Sequence, residues 1–107
     1  MSGIIGVVDN NCTMHISEDE FIRRINAKEV KAFRMLFEKF YNYLVLYAEK
    51  RVQQRQIAED LVQEVFIAIW ESSKEYNSFY GFRSFLYDSV QNKCFDYLKH
   101  KAVEERY

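Results

Sequence analysis

The sequence predicts an all-α fold, a compact bundle of three to four helices. Three observations carry that reading. First, there is no proline, and the only glycines are Gly3, Gly6 and Gly81. Residues 7–80 thus hold no strong helix breaker, whereas all-β architectures need a turn about every 8–12 residues. Second, apolar residues recur at spacings of three and four along most of the chain. Third, a hydrophobic fraction of 49% with 29% charged residues excludes a disordered chain, and 107 residues suffice for one domain.

The elements follow in order. Residues 1–16 are the least regular and read as a loose N-terminal arm. Ile4, Ile5, Val7 and Val8 are apolar there, and Asp9, Asn10 and Asn11 are turn formers. The helical domain is expected over residues 17–107. Ser17 with Glu20 fits a capping box, in which each side chain bonds the other residue's backbone N–H. Phe21, Ile22 and Ile25 then form a short stripe. Asn26 with Glu29 repeats the cap pattern with an amide. A long helix follows, with Val30, Phe33, Leu36, Phe37, Phe40, Tyr41, Leu44, Tyr47 and Ala48 facing inward. It should fade between Lys50 and Gln56, where Val52 is the single aliphatic residue.

The next helix has the clearest pattern. Ile57, Leu61, Val62, Val65, Phe66, Ile69 and Trp70 make a wide core-facing stripe. Glu59 and Asp60 fall in its first turn, where the helix dipole favours negative charge. A polar linker flecked with aromatics is expected from Ser72 to Arg83. The last helix then turns Phe82, Phe85, Leu86, Val90, Cys94, Tyr97 and Leu98 inward. Its outer stripe is Asp88, Asn92, Phe95 and Lys99.

Composition narrows the function. There is no H-E-x-x-H, no glycine-rich phosphate loop and no G-x-S-x-G, so the chain does not read as an enzyme, and no cofactor or metal is implied. His15 and His100 are isolated and read as surface residues. Cys12 and Cys94 are far apart, which fits a reduced cytoplasmic protein with two incidental thiols. No basic leader or long apolar run is present, so secretion and membrane insertion are not expected. With 15 basic and 16 acidic residues the net charge is −1, which gives the domain as a whole no electrostatic pull on nucleic acid.

Two surfaces call for a reason beyond folding. The outward face of the third helix carries Asp60, Gln63, Glu64 and Glu71 around an apolar Ile67. Single exposed apolar residues are common. A docking surface is the alternative, with acids giving orientation and Ile67 a desolvated centre. The linker holds Tyr76, Phe79, Tyr80 and Phe82. Those rings either fold back onto the core or form a platform for unstacked bases. Carboxylates on one helical face without histidine do not make a metal site.

The run Ala58-Glu59-Asp60-Leu61-Val62-Gln63-Glu64-Val65-Phe66-Ile67-Ala68-Ile69-Trp70 closely resembles the "AEDLVQEVFLxxW" signature of bacterial RNA polymerase sigma factors of the extracytoplasmic-function group. Downstream, Phe85-Leu86-Tyr87, Gln91-Asn92 and Asp96-Tyr97-Leu98 resemble that family's "(W/Y)LYxxxxN…(D/N)xL" segment. Upstream, Ala32-Phe33, Leu36-Phe37 and Tyr41 resemble its "AFxxLyxxY" opening. The three segments agree in order and spacing over roughly residues 27–107.

The resemblance implies region two of a sigma factor. That domain docks on the polymerase and recognises and melts the −10 promoter element by capturing a flipped non-template base. The helix-turn-helix domain that follows in the family is absent from this sequence. By the same resemblance, Asp60, Gln63, Glu64 and Ile67 would contact the coiled coil of the β′ clamp. Tyr76, Asn77 and Ser78 would belong to the loop that holds the base. Asn92 would contact −10 bases, and Arg83, Lys93, Lys99 and Lys101 would contact phosphates. An anti-sigma factor is a further implied partner. The outer stripe departs from the family in carrying Asp88 and Phe95, and Phe85 stands where Trp or Tyr is usual. The reading from a different class is a helical protein–protein adaptor without nucleic-acid binding, which the charge balance and aromatic surface would also suit.

Overall fold

The computed structural model describes the backbone of residues 4–8 and 13–106 and the side chains of residues 16–106. Two short strands precede four helices: β1 (Ile4–Val8), β2 (Thr13–Ser17), α1 (Glu18–Asn26), α2 (Val30–Val52), α3 (Arg55–Glu71) and α4 (Phe79–Glu104). The body is the expected helical bundle. The arm departs from expectation, because β1 and β2 pair antiparallel, from Ile4 opposite Ser17 to Val8 opposite Thr13. Its β-branched residues favour extended backbone, a preference that a search for helical spacing does not register. The turn formers Asp9, Asn10 and Asn11 lie outside the described residues.

α1 starts at the predicted cap. The Ser17 hydroxyl accepts from the Glu20 N–H at 3.0 Å. The reciprocal half of the box is missing, because the Glu20 carboxylate turns instead to Arg23 and Arg24. Hydrogen bonds from Arg23 and then Arg24 hold that carboxyl down at about 2. The N-cap position of α2 is Glu29, whose side chain makes no capping hydrogen bond, and not Asn26, which is the last residue of α1. α2 ends as predicted, after Val52. Gln53 adopts a left-handed backbone with φ 63°, its N–H bonds the Glu49 carbonyl at 2.7 Å, and α3 begins two residues later.

The core runs between all four helices. α1 contributes Phe21, Ile22 and Ile25, and α2 contributes Leu36, Phe40 and Leu44. α3 adds Leu61, Val62, Val65 and Ile69, and α4 adds Phe82, Leu86, Val90 and Cys94. Burying each large apolar side chain stabilises the fold by about 1.5–3 kcal/mol. Burial pushes the Cys94 thiol up, which fits a small core residue and not a nucleophile. Among the described residues no polar or charged residue is buried, and no helix is long and apolar enough to cross a membrane.

Several residues assigned inward lie at the rim. Val30, Phe37, Trp70 and Leu98 are exposed. A wide apolar stripe has edges, and side chains at those edges are covered on one side only. Trp70 meets Phe33 edge-on at 4.7 Å, and Phe37 stacks on Tyr41 at 4.5 Å.

The linker is shorter than expected. α4 begins at Phe79, so only residues 72–78 are irregular. Ser78 caps the helix by accepting from the Gly81 N–H at 3.0 Å. Gly81 is thus inside the first turn of α4. It fits there because a Cβ would lie 3.1 Å from the Ser78 Oγ.

Candidate interaction surfaces

The outward face of α3 is formed as the spacing predicted. Asp60, Gln63, Glu64 and Ile67 are all exposed, with Ile67 at 56%. The i, i+3, i+4 and i+7 spacing keeps them on one side of the helix. Glu64 is not isolated there: its carboxylate pairs with the Lys93 ammonium of α4 at 3.2 Å. At the start of the helix, Arg55 pairs with Glu49 and Glu59, tying the α2–α3 corner. Such exposed pairs are worth little stability, about 0–1 kcal/mol. Their effect is to fix where charge sits. Beside Ile67 lies an apolar groove of about 250 Å³ lined by Phe33, Phe37, Phe66, Ile67 and Trp70.

The 72–78 loop is held from the far end of the sequence. The Asn26 side chain donates to the Tyr76 carbonyl and accepts from the Tyr76 N–H, both at 2.9 Å. The Lys28 ammonium donates to the carbonyls of Ile69 at 3.0 Å and Trp70 at 2.7 Å, and to that of Ser72. It thereby bonds carbonyls at and just past the end of α3 and places a cation at the negative pole of the helix. Within the loop, the Ser72 hydroxyl accepts from the Lys74 N–H at 3.0 Å. Neither Asn26 nor Lys28 was singled out as a tether from the sequence. Their partners lie 41–50 residues away, beyond the reach of any local pattern.

The residues expected to touch DNA do not share one surface. Of the two alternatives for the linker rings, Tyr76 takes the first and folds back onto the core: it is only 8% exposed, with its ring 4.6 Å from Phe82 and 5.6 Å from Phe85. It faces the core because the Asn26 clamp fixes its backbone and the two rings of α4 receive it. It is therefore no surface stacking platform. Its hydroxyl has no hydrogen-bond partner among the described residues, and burial raises its phenol above the usual range. Asn77 and Ser78 are exposed, with the Ser78 hydroxyl engaged in the cap.

Along α4, Asn92 and Lys93 border a cleft of about 350 Å³ against α3, together with Tyr76, Ser89 and Asp96. Arg83 borders a different cleft, against α2. Lys99 is exposed on the distal half of the helix, and Lys101 is half-buried near its end.

Residues 36–103, from within α2 to the end of α4, match the family described as Sigma-70 region 2. The chain belongs to the sigma-70 region 2 family. This is a family of transcription initiation factors and not of enzymes. The matched stretch holds the α3 face, the loop and the outer stripe of α4. It begins after Asn26 and Lys28, so both tethers fall outside it. The sigma region 2 chain is also 27% identical over 85 residues to a probable RNA polymerase sigma factor of Haemophilus influenzae. That similarity covers 77% of this chain and 44% of the relative, so the chain spans less than half of that protein's length. No solved structure matches it.

Proposed function

We propose that this chain acts in transcription initiation as region two of a sigma factor of the extracytoplasmic-function group. It docks on the β′ clamp of RNA polymerase and recognises and melts the −10 promoter element. The observation that carries the reading is the family match over residues 36–103, which contains the exposed α3 face of Asp60, Gln63, Glu64 and Ile67. The α3 face meets the polymerase: carboxylates and an amide steer and orient, and Ile67 supplies the part that loses water on contact. An anti-sigma factor would compete for this face. The site of action would be the cytoplasm.

The work on DNA is strand separation without bond chemistry. Extruding a base costs a few kcal/mol, which stacking and hydrogen bonds to its edges offset. Asn77 and Asn92, both exposed, offer amides for base edges, and Arg83 and Lys99 offer charge for phosphates. The net charge of −1 means that DNA contact depends on the polymerase.

The test is capture of core RNA polymerase by the tagged chain. Asp60→Ala with Gln63→Ala should lower capture about tenfold or more while the helical circular dichroism stays that of the parent. Unchanged capture would sink the docking assignment. The chain alone should bind duplex DNA weakly, and tight duplex binding that survives moderate salt would contradict the reading, because phosphate-driven binding falls steeply with salt. Polymerase capture without any crosslink to a −10 strand would favour the adaptor reading.

A further inference from the structure

The cleft between α3 and α4, at about 350 Å³, falls within the size range of small-molecule sites. Its floor is largely apolar. Val65 and Ile69 of α3 are buried there, and the half-buried Phe85 of α4 adds a ring. The Lys74 ammonium, which does not line the cleft, sits 4.0 Å from the centre of that ring and steadies it.

Tyr76 is the polar member of the floor. It lines the cleft at 8% exposure, and its hydroxyl is the one buried side-chain polar atom without a hydrogen-bond partner among the described residues. Buried polar groups are nearly always paired, so an open one points to a partner from outside the chain. The tyrosine is fixed before any ligand arrives, because Asn26 clamps its backbone and the Phe82 ring packs against its own. A donor held in place lowers the ordering cost of binding.

Charge gathers at the rim. Lys93 lines the cleft and pairs with Glu64 at 3.2 Å. Asp96 also lines it, is exposed, and takes part in no ion pair among the described residues. Two carboxylates and one ammonium leave a negative charge over at this rim. That excess opposes an anionic ligand and favours a cationic one.

We infer that the α3–α4 cleft binds a small aryl alkylamine. The aromatic ring lies on Val65, Ile69 and Phe85, an oxygen at its inner end accepts from the Tyr76 hydroxyl, and the ammonium at its outer end meets Asp96. An apolar floor with two polar groups at opposite ends fixes both the position and the direction of such a ligand. The inference stands apart from the promoter reading, since it needs neither polymerase nor DNA.

The experiment titrates the full, isotope-labelled chain with tyramine and follows the backbone amides by NMR, which suits the weak affinity of a probe this small. Phenethylamine, which lacks the ring oxygen, and 4-ethylphenol, which lacks the amine, are the matched probes. Tyramine should shift the amides of Ser72, Tyr76 and Ser89. Tyr76→Phe should weaken tyramine about fivefold and leave phenethylamine unchanged, as the loss of one hydrogen bond requires. Asp96→Asn should weaken both amines about two- to threefold, in the range of an exposed ion pair, and leave 4-ethylphenol unchanged. Equal weakening of tyramine and phenethylamine by Tyr76→Phe would overturn the inference, by making Tyr76 a determinant of cleft shape alone. So would 4-ethylphenol binding as tightly as tyramine, or no shift at these amides at millimolar tyramine. If a −10 single strand moves these amides and tyramine does not, the cleft belongs to the strand: the inference falls and the promoter reading stands.

Discussion

Asn26, the last residue of α1, and Tyr76, in the loop before α4, exchange two hydrogen bonds at 2.9 Å across 50 residues of chain. One amide side chain thus pairs both polar backbone groups of one loop residue, as a neighbouring strand would. Buried backbone groups left unpaired cost about 1–3 kcal/mol. Asn26→Ala should therefore destabilise the domain by about that amount in urea unfolding. Asn26→Asp, which keeps the acceptor and loses the donor, should fall between. Amide exchange at Tyr76 is the sharper readout: no acceleration in Asn26→Ala would mean that the clamp does not hold the loop.

Lys28 and Gln53 make a second, paired prediction. Both hold left-handed backbones, with φ of 62° and 63°. Such a conformation strains any side chain and suits glycine. Gln53 caps α2 through its backbone alone, so Gln53→Gly should be neutral or stabilise by up to about 1 kcal/mol. Lys28→Gly relieves the same strain but removes the ammonium that caps α3. Charge-assisted bonds are each worth about 1.5–3 kcal/mol, so this variant should lose stability. Thermal unfolding of the two would check it, and equal signs would show that backbone strain governs both positions.

The contrast marks what the sequence could reveal. The α3 stripe of Leu61, Val62, Val65 and Ile69 is legible because helical spacing and burial are the same fact stated twice. The exposed partners Asp60, Gln63, Glu64 and Ile67 follow from it by subtraction. Tyr76 was not legible. An aromatic residue in a polar linker has no period, and only the Asn26 clamp and the rings of Phe82 and Phe85 decide that it faces in. The expected linker runs five residues too far, to Arg83, because Gly81 reads as a breaker, whereas Ser78 caps the helix just before it. The division of Arg83 from Asn92 follows from their spacing alone, yet which helix each side faces needed the fold.

Tyr76 gives a prediction with a pH dependence. Its hydroxyl is buried without a partner, so Tyr76→Phe should be neutral or stabilising, whereas Tyr76→Ala should cost about 3–5 kcal/mol. Burial raises the phenol above its ordinary value of 10.0. The folded state then holds its proton where the unfolded chain has released it. This contribution is intact below pH 10 and lost as the pH climbs through the raised folded value. Tyr76→Phe should remove that part of the alkaline loss. Identical alkaline unfolding curves for the two proteins would refute the assignment.

Ser78 and Gly81 should be coupled. Alanine replaces glycine in a helix with a gain of about 0.5–1 kcal/mol, but here the new Cβ would press the capping hydroxyl at 3.1 Å. Gly81→Ala alone should therefore gain little or lose. Ser78→Ala alone should cost about 1 kcal/mol, the usual worth of a side-chain cap. In the double variant the hydroxyl is gone and the methyl meets no obstacle, so the helix gain returns. The double-mutant cycle should show a favourable coupling of roughly 0.5–1 kcal/mol. Additivity within about 0.3 kcal/mol would mean that the cap can give way to the methyl, and that glycine at this position is not required by the start of α4.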